Sequence, residues 1–159
     1  MNTKVVCALV TSALLSACGG GSTASPRHAV TKETKGASVT LTEVEVTGRP
    51  DSSGFIPPAP AGATYVVVTY TIKNTGGEAL SLENWPQPRL ADAAGHLLEP
   101  DLGPSTFLSA KANVTWAENI NPNLTTSVKR AWKVDEKAFD RKRWTLVFLA
   151  TPKLMFALQ

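Results

Sequence analysis

The most regular alternation in the chain lies between Thr64 and Lys73. Val66, Val68, Tyr70 and Ile72 fall on one side there, with Tyr65, Val67, Thr69 and Thr71 on the other. Alternation with a period of two predicts a β-strand, here with an apolar residue at each of those positions on one face and at two of the four on the other. Upstream, Val39 and Leu41 alternate in one phase and Val44 and Val46 in the opposite one. A reversal of phase inside one strand predicts a bulge, near Thr42–Glu43. Asn74-Thr75-Gly76-Gly77 supplies a turn, and Leu80 and Leu82 then begin a short strand that ends at Asn84-Trp85-Pro86-Gln87-Pro88. Arg89–Asp92 and His96–Glu99 form a hairpin with Gly95 at its tight position. Two further strands run over Thr126–Val134 and Arg143–Thr151, and Met155–Leu158 adds a short edge. Pro100–Ala112 reads as loop, because no sustained helical period appears in it. Seven or eight short strands separated by Pro and Gly turns predict an all-β fold, a β-sandwich. Val66, Val68, Tyr70, Ile72, Trp132, Leu146 and Phe148 are its expected core.

The N-terminus follows another pattern. Lys4 precedes an apolar stretch from Val5 to Leu15, which ends in small residues. At about 1.5 Å per helical residue that stretch reaches roughly 16 Å, about half of a bilayer's hydrocarbon core. A charged start, a short apolar middle and a small-residue end predict a secretory signal peptide over residues 1–17. Leu15-Ser16-Ala17-Cys18 resembles the lipobox of bacterial lipoproteins. The resemblance implies cleavage between Ala17 and Cys18, a diacylglyceryl group on the Cys18 sulfur and acylation of the new amine. One acyl chain holds a protein marginally, whereas two or three anchor it stably. Gly19, where an inner-membrane protein tends to carry Asp, points to the outer membrane if the host has two membranes. Residues 18–37, rich in Gly, Ser, Thr and Lys, read as the lipidated Cys and a flexible tether. The folded domain is then expected over 38–159.

Composition adds bounds. The chain is 43% hydrophobic and 18% charged, enough apolar mass for a core and too much for a disordered tail. The 159 residues allow one ordinary domain. A formal charge of +3 is too small an excess to call for nucleic acid. The two cysteines are Cys7, which leaves with the signal peptide, and Cys18. The mature domain therefore carries no disulfide and must be held by its core.

Three motifs point to a family. Tyr65-Val66-Val67-Val68-Thr69-Tyr70-Thr71-Ile72-Lys73-Asn74-Thr75-Gly76, Leu90-Ala91-Asp92-Ala93-Ala94-Gly95 and Ile120-Asn121-Pro122-Asn123 resemble a strand and two turns of one known domain. It is the immunoglobulin-like extracytoplasmic domain of unknown function found on bacterial lipoproteins and secreted proteins. Asn123 stands where the family carries Gly, a substitution that Asn supports because it tolerates the left-handed backbone region. The resemblance implies an immunoglobulin-like sandwich and a non-enzymatic role, binding or supporting other envelope components.

Candidate chemistry is sparse. His28 and His96 are the two histidines and do not stand at metal-ligand spacing, so no metal or cofactor is expected. There is no G-x-S-x-G motif and no thiol nucleophile in the mature chain, so no enzyme is expected. Asp92, Glu99 and Asp101 flank a cation or form an acid pair on one reading, and serve as turn residues on the other. Trp85-Pro86-Gln87-Pro88 either presents an aromatic platform to glycan or peptide or folds over an open end of the sandwich. The long loop Pro50–Pro60 carries Phe55 and Ile56 and either folds onto the sheet edge or binds. Phe55, Ile56, Trp85 and Gln87 are thus the candidate binding residues. Lys137, Arg141, Lys142 and Arg143 form a basic cluster that meets anionic surfaces or is a solvated turn. The expected function is a lipid-anchored adaptor that binds an envelope protein, with a glycan or peptidoglycan module as the alternative. A hydrolase would require a cleft with convergent carboxylates.

Overall fold

Among the described residues eight strands lie in two antiparallel four-stranded sheets, one with Val30–Thr34, Ala37–Thr47, Ala63–Asn74 and Thr125–Asp135 side by side in that order, the other with Leu97–Leu98, Gln87–Ala91, Thr145–Leu149 and Leu154–Ala157. The structure is a computed structural model and is described over residues 29–112 and 119–158. In chain order the strands are β1 (Val30–Thr34), β2 (Ala37–Thr47), β3 (Ala63–Asn74), β4 (Gln87–Ala91), β5 (Leu97–Leu98), β6 (Thr125–Asp135), β7 (Thr145–Leu149) and β8 (Leu154–Ala157). One helix, α1 (Leu102–Lys111), lies between β5 and β6. The signal peptide, Ala17, Cys18, His28, Trp116 and the first part of the tether lie outside the described residues.

The β-sandwich is the expected one, and β3 carries it. Its even positions Val66, Val68, Tyr70 and Ile72 are at most 1% exposed and face the second sheet, where Leu90, Leu146, Phe148 and Phe156 are at most 2% exposed. Tyr70 meets Phe148 edge to face at 4.9 Å, and Phe148 meets Phe156 the same way at 5.6 Å. Each such side chain contributes about 1.5–3 kcal/mol on burial, so this interface supplies most of the drive to fold. The bulge in β2 falls where the phase reverses, with the register shifting between Leu41 and Glu43. It lets Val39, Leu41 and Val44 all reach the same core.

Asn74 explains the turn motif after β3. It is 1% exposed, and its amide nitrogen donates to the carbonyls of Glu78 and Ile120, both at 2.7 Å. Its side-chain oxygen accepts from the Gly76 N–H. Its backbone meanwhile pairs with Leu124 and Asn123 at the entrance to β6. Asn123 adopts φ 65, the left-handed conformation expected of it. Two of the recognisable motifs therefore form one knot.

Three expectations are corrected. Leu80 and Leu82 do not start a strand: Leu80 makes a single bridge to Ile120, and Leu82–Asn84 is a 3-10 turn. The stretch Val30–Thr34, assigned to the tether on its polar composition, is an edge strand that pairs with β2 from Val30↔Leu41 to Thr34↔Ala37. A strand with an open edge needs few apolar residues, so composition hid it. Pro100–Ala112 is mostly helix, not loop, and the fold is not purely β. The buried stripe of α1 is Ser105, Leu108 and Ser109. A stripe built chiefly of serine has no hydrophobic period to detect.

Candidate functional site

The outer face of the first sheet is not left to solvent. Tyr65, Val67 and Ala131 point outward and are buried by Ile56 from the long loop and Leu108 from α1. The loop is pinned rather than free. The Ala59 N–H donates to the Gly48 carbonyl at 2.8 Å, and the Glu136 N–H donates to the Gly62 carbonyl at 3.0 Å. Gly54 turns with φ 84, which a side chain would resist. Asp51 fastens the loop to the helix: its side chain is fully buried and accepts from the Lys111 ammonium at 2.8 Å and from the Ser53 hydroxyl. The hydrogen bond from Lys111, then that from Ser53, hold the Asp51 carboxyl well below its ordinary range against the opposing effect of burial. A carboxylate so committed is an ion-pair partner and is poorly suited to act as a base near neutrality.

The helix runs along the free side of β6. Asp101 Oδ2 accepts from the Lys133 N–H at 2.8 Å, and Ser105 Oγ accepts from the Ala131 N–H at 3.0 Å. Ser109 Oγ lies 3.3 Å from the Lys129 nitrogen and donates to the Lys129 carbonyl at 2.8 Å. Ser105 and Ser109 are 2% and 0% exposed.

What this assembly offers outward is aromatic and basic. Phe55 is 76% exposed and stacks on Phe107 at 5.2 Å between ring centroids. A recess of about 280 Å³ lies between Pro50, Asp51 and Ser52 of the loop, Leu108 and Lys111 of the helix with Ala112 after it, and Lys129 of β6. An exposed ring on an anchored loop keeps its contact area at little entropic cost, which suits recognition of another surface.

The candidate binding residues separate into two places. Phe55 and Ile56 belong to this outer face, the first exposed and the second 2% exposed beneath it. Trp85 and Gln87 belong to one end of the sandwich. Trp85 is 4% exposed in the main core, and its indole N–H donates to the Leu80 carbonyl at 3.3 Å. The platform reading of Trp85 is therefore corrected: the ring folds over the open end because indole surface is costly to leave in water. The Gln87 amide donates to the Trp85 carbonyl at 3.2 Å and closes its own loop.

The carboxylates are turn and pairing residues. Asp92 Oδ1 accepts from the N–H groups of Ala94 and His96, and its Oδ2 lies 2.9 Å from His96 Nδ1. The bond to His96 is the main reason its carboxyl is held low. Glu99 pairs with Arg89 at 2.7 Å. The basic cluster sits on a turn whose Asp140 accepts from the Lys142 N–H, while Arg141 donates to the Val44 carbonyl. Among the described residues, no three His, Cys, Asp or Glu side chains gather as a metal ion would need.

Sequence reasoning weighed Asp101 only as a cation-flanking, acid-pair or turn residue, and missed Ser105, Phe107, Ser109 and Lys111. A signal existed in the spacing of small polar residues by four, after an Asp fit to precede a helix and with Pro104 in the first turn.

The model for the domain of unknown function DUF4352 matches residues 30–148. The uncharacterized protein YxkC of Bacillus subtilis (strain 168) is 30% identical over 121 residues, which span 74% of this chain and 67% of that protein. A conserved hypothetical protein from Bacillus anthracis superposes with a TM-score of 0.69 at 14% identity, over 82% of this chain and 92% of its own. A candidate lipoprotein of Bacillus subtilis, ycdA, superposes with a TM-score of 0.51 at 14% identity. That match covers 82% of this chain and 38% of ycdA. Likeness at such identities is likeness of fold.

Proposed function

Because this chain belongs to the DUF4352 family, whose name carries no activity, we propose its function from its own surface: a non-catalytic domain that binds another protein of the cell envelope. The lipobox-like Leu15-Ser16-Ala17-Cys18 supplies the anchor, with the mature chain held in the membrane by lipid on Cys18. That one fold relative is described as a candidate lipoprotein supports this placement. A host with two membranes would carry it on the outer one, following Gly19.

One observation carries the binding reading. Phe55 holds an aromatic ring 76% in water, stacked on Phe107, on a loop pinned at both ends and clamped by a buried carboxylate. A large apolar group fixed in solvent by so many contacts is the kind of anchor that concentrates interface energy. The alternative, a glycan or peptidoglycan module, loses the ring it relied on when Trp85 enters the core.

Crosslinking the lipidated protein in intact envelopes tests both parts. One stoichiometric partner is expected, with its yield cut about tenfold or more by Phe55→Ala at unchanged circular dichroism. An undiminished yield rules out this surface, and an unmodified Cys18 in the mass spectrum rules out the anchor.

A further inference from the structure

An outermost strand leaves alternate N–H and C=O groups without a neighbour. On β6 these belong to Lys129, Ala131 and Lys133; Ser109 and Ser105 of α1, with Asp101 just before it, take up the three N–H groups and the Lys129 and Ala131 carbonyls. Four helical residues advance about 6 Å, and two strand residues about 6.7 Å. Side chains spaced by four on the helix therefore keep step with alternate residues of the strand. The helix stands in for an antiparallel neighbour, with hydroxyls, a carboxylate and one backbone N–H, that of Asp101, which donates to the Ala131 carbonyl at 2.8 Å.

This stand-in is held by the strand more than by itself. Asp101 precedes the helix but makes no side-chain cap to it, since its carboxylate goes to Lys133 instead. Only Ser105, Leu108 and Ser109 of α1 are buried, and Leu102 is 79% exposed. A helix of ten residues is marginal without such support.

We propose that β6 is a strand-addition site, at which an extended acidic segment of a partner protein replaces α1. A new strand would meet the same N–H and C=O groups through its backbone. On the outer face of β6 its side chains would lie beside Lys129, Ala131 and Lys133, an order that favours acidic residues around a small or apolar one. A second copy of this chain is the poorer occupant, because antiparallel pairing about Ala131 sets Lys129 against Lys133. Displacing α1 would also draw Phe107 from beneath Phe55, so the two sites share the helix, but the β6 amides report strand addition alone.

The test uses the full chain with Cys7→Ser and Cys18→Ser. Amide exchange at Lys129, Ala131 and Lys133 is expected to run at least about tenfold faster than at Val66 and Val68 of β3, because α1 opens alone. Ser109→Ala is expected to speed it by about thirtyfold more. Exchange of all five amides at one rate, in both proteins, overturns the proposal. A blocked peptide containing Glu-Val-Ala-Val-Glu is expected to protect the three β6 amides, whereas its counterpart with Lys in place of Glu is not. Joining Asp51→Cys to Lys111→Cys with a short bismaleimide is expected to abolish that protection, and the unjoined pair to retain it. Binding that ignores the clamp, equal binding of the basic peptide, or a dimer that protects β6 by itself overturns the proposal.

Discussion

The first sheet has two edges, and they are guarded in opposite ways. At β1 no described residue covers the strand: residues 30–33 are exposed, and only Thr34 is half-buried. Its guard is Lys32, which sits opposite the buried Val39 and reaches over the Phe156 ring at 5.5 Å. A charge on the inward-facing register of an edge strand makes pairing with another chain costly. At β6 the edge is covered, and the covering residues imitate a strand. A bare edge needs only repulsion. A buried edge must have every N–H and C=O answered, because an unpaired group there costs about 1–3 kcal/mol.

That difference predicts unequal responses to mutation. Ser105→Ala with Ser109→Ala leaves the Ala131 and Lys129 N–H groups unanswered and is expected to remove about 4 kcal/mol of protection at those amides. Protection in β1 and β2 is expected to stay unchanged. Equal losses at both edges would show that α1 is not a separate guard. Asn74→Ala should blur the contrast instead. Asn74 pairs with Ala37 at the start of β2 and bonds to Asn123 and Leu124 before β6, while Thr75 bonds to Gly36. Losing its three side-chain bonds is expected to cost about 2–3 kcal/mol in urea unfolding and to loosen both edges together.

How much could be read in advance follows the same line. β3, the bulge of β2 and the left-handed Asn123 were legible because each leaves a local mark: an alternation, a reversed phase, a motif position that wants Gly. The core residues named from β3, β6 and β7 are all buried. β1 was illegible because a bare edge strand is polar on both faces, and α1 because the surface it buries is hydroxyl. Of the candidate binding residues, Phe55 stands exposed and Trp85 does not. Loop composition cannot tell a ring stacked outward on Phe107 from one tucked beneath Leu80. The lipobox residues lie outside the described part of the fold.

Acid should act on the covered edge through Asp51. Its folded carboxyl lies below the ordinary 3.8, chiefly through the Lys111 bond and then the Ser53 bond. A lowered folded value means that the stabilisation is complete above the unfolded value and fades as pH falls through the folded one. Protection at Lys129, beside the end of α1, is expected to hold steady from about pH 7 to 5 and to decline only below 3.8. Asp51→Asn should remove its share of that slope. Asp92, also lowered and chiefly by His96, should keep its own share, visible at the Ala94 and His96 amides of the β4–β5 turn. A decline beginning near neutrality would mean that some other group clamps the helix.

The smallest change in stability belongs to the bare edge, and it carries the most telling change in behaviour. Lys32→Val removes a cation from above Phe156, which costs at most about 1 kcal/mol at an exposed site, and β-branching recovers part of that in a strand. The urea midpoint should hardly move. The edge, however, loses the one charge on its inward register and gains a branched apolar residue in line with Val30, itself 47% exposed. The variant is therefore expected to associate more than the parent chain as concentration rises, in light scattering at constant pH. Lys32→Arg should behave as the parent, since it keeps both the charge and the contact with the ring. If the valine variant stayed monomeric at every concentration, the cation would be no guard, and the protection of β1 would have to come from its twist or its short length.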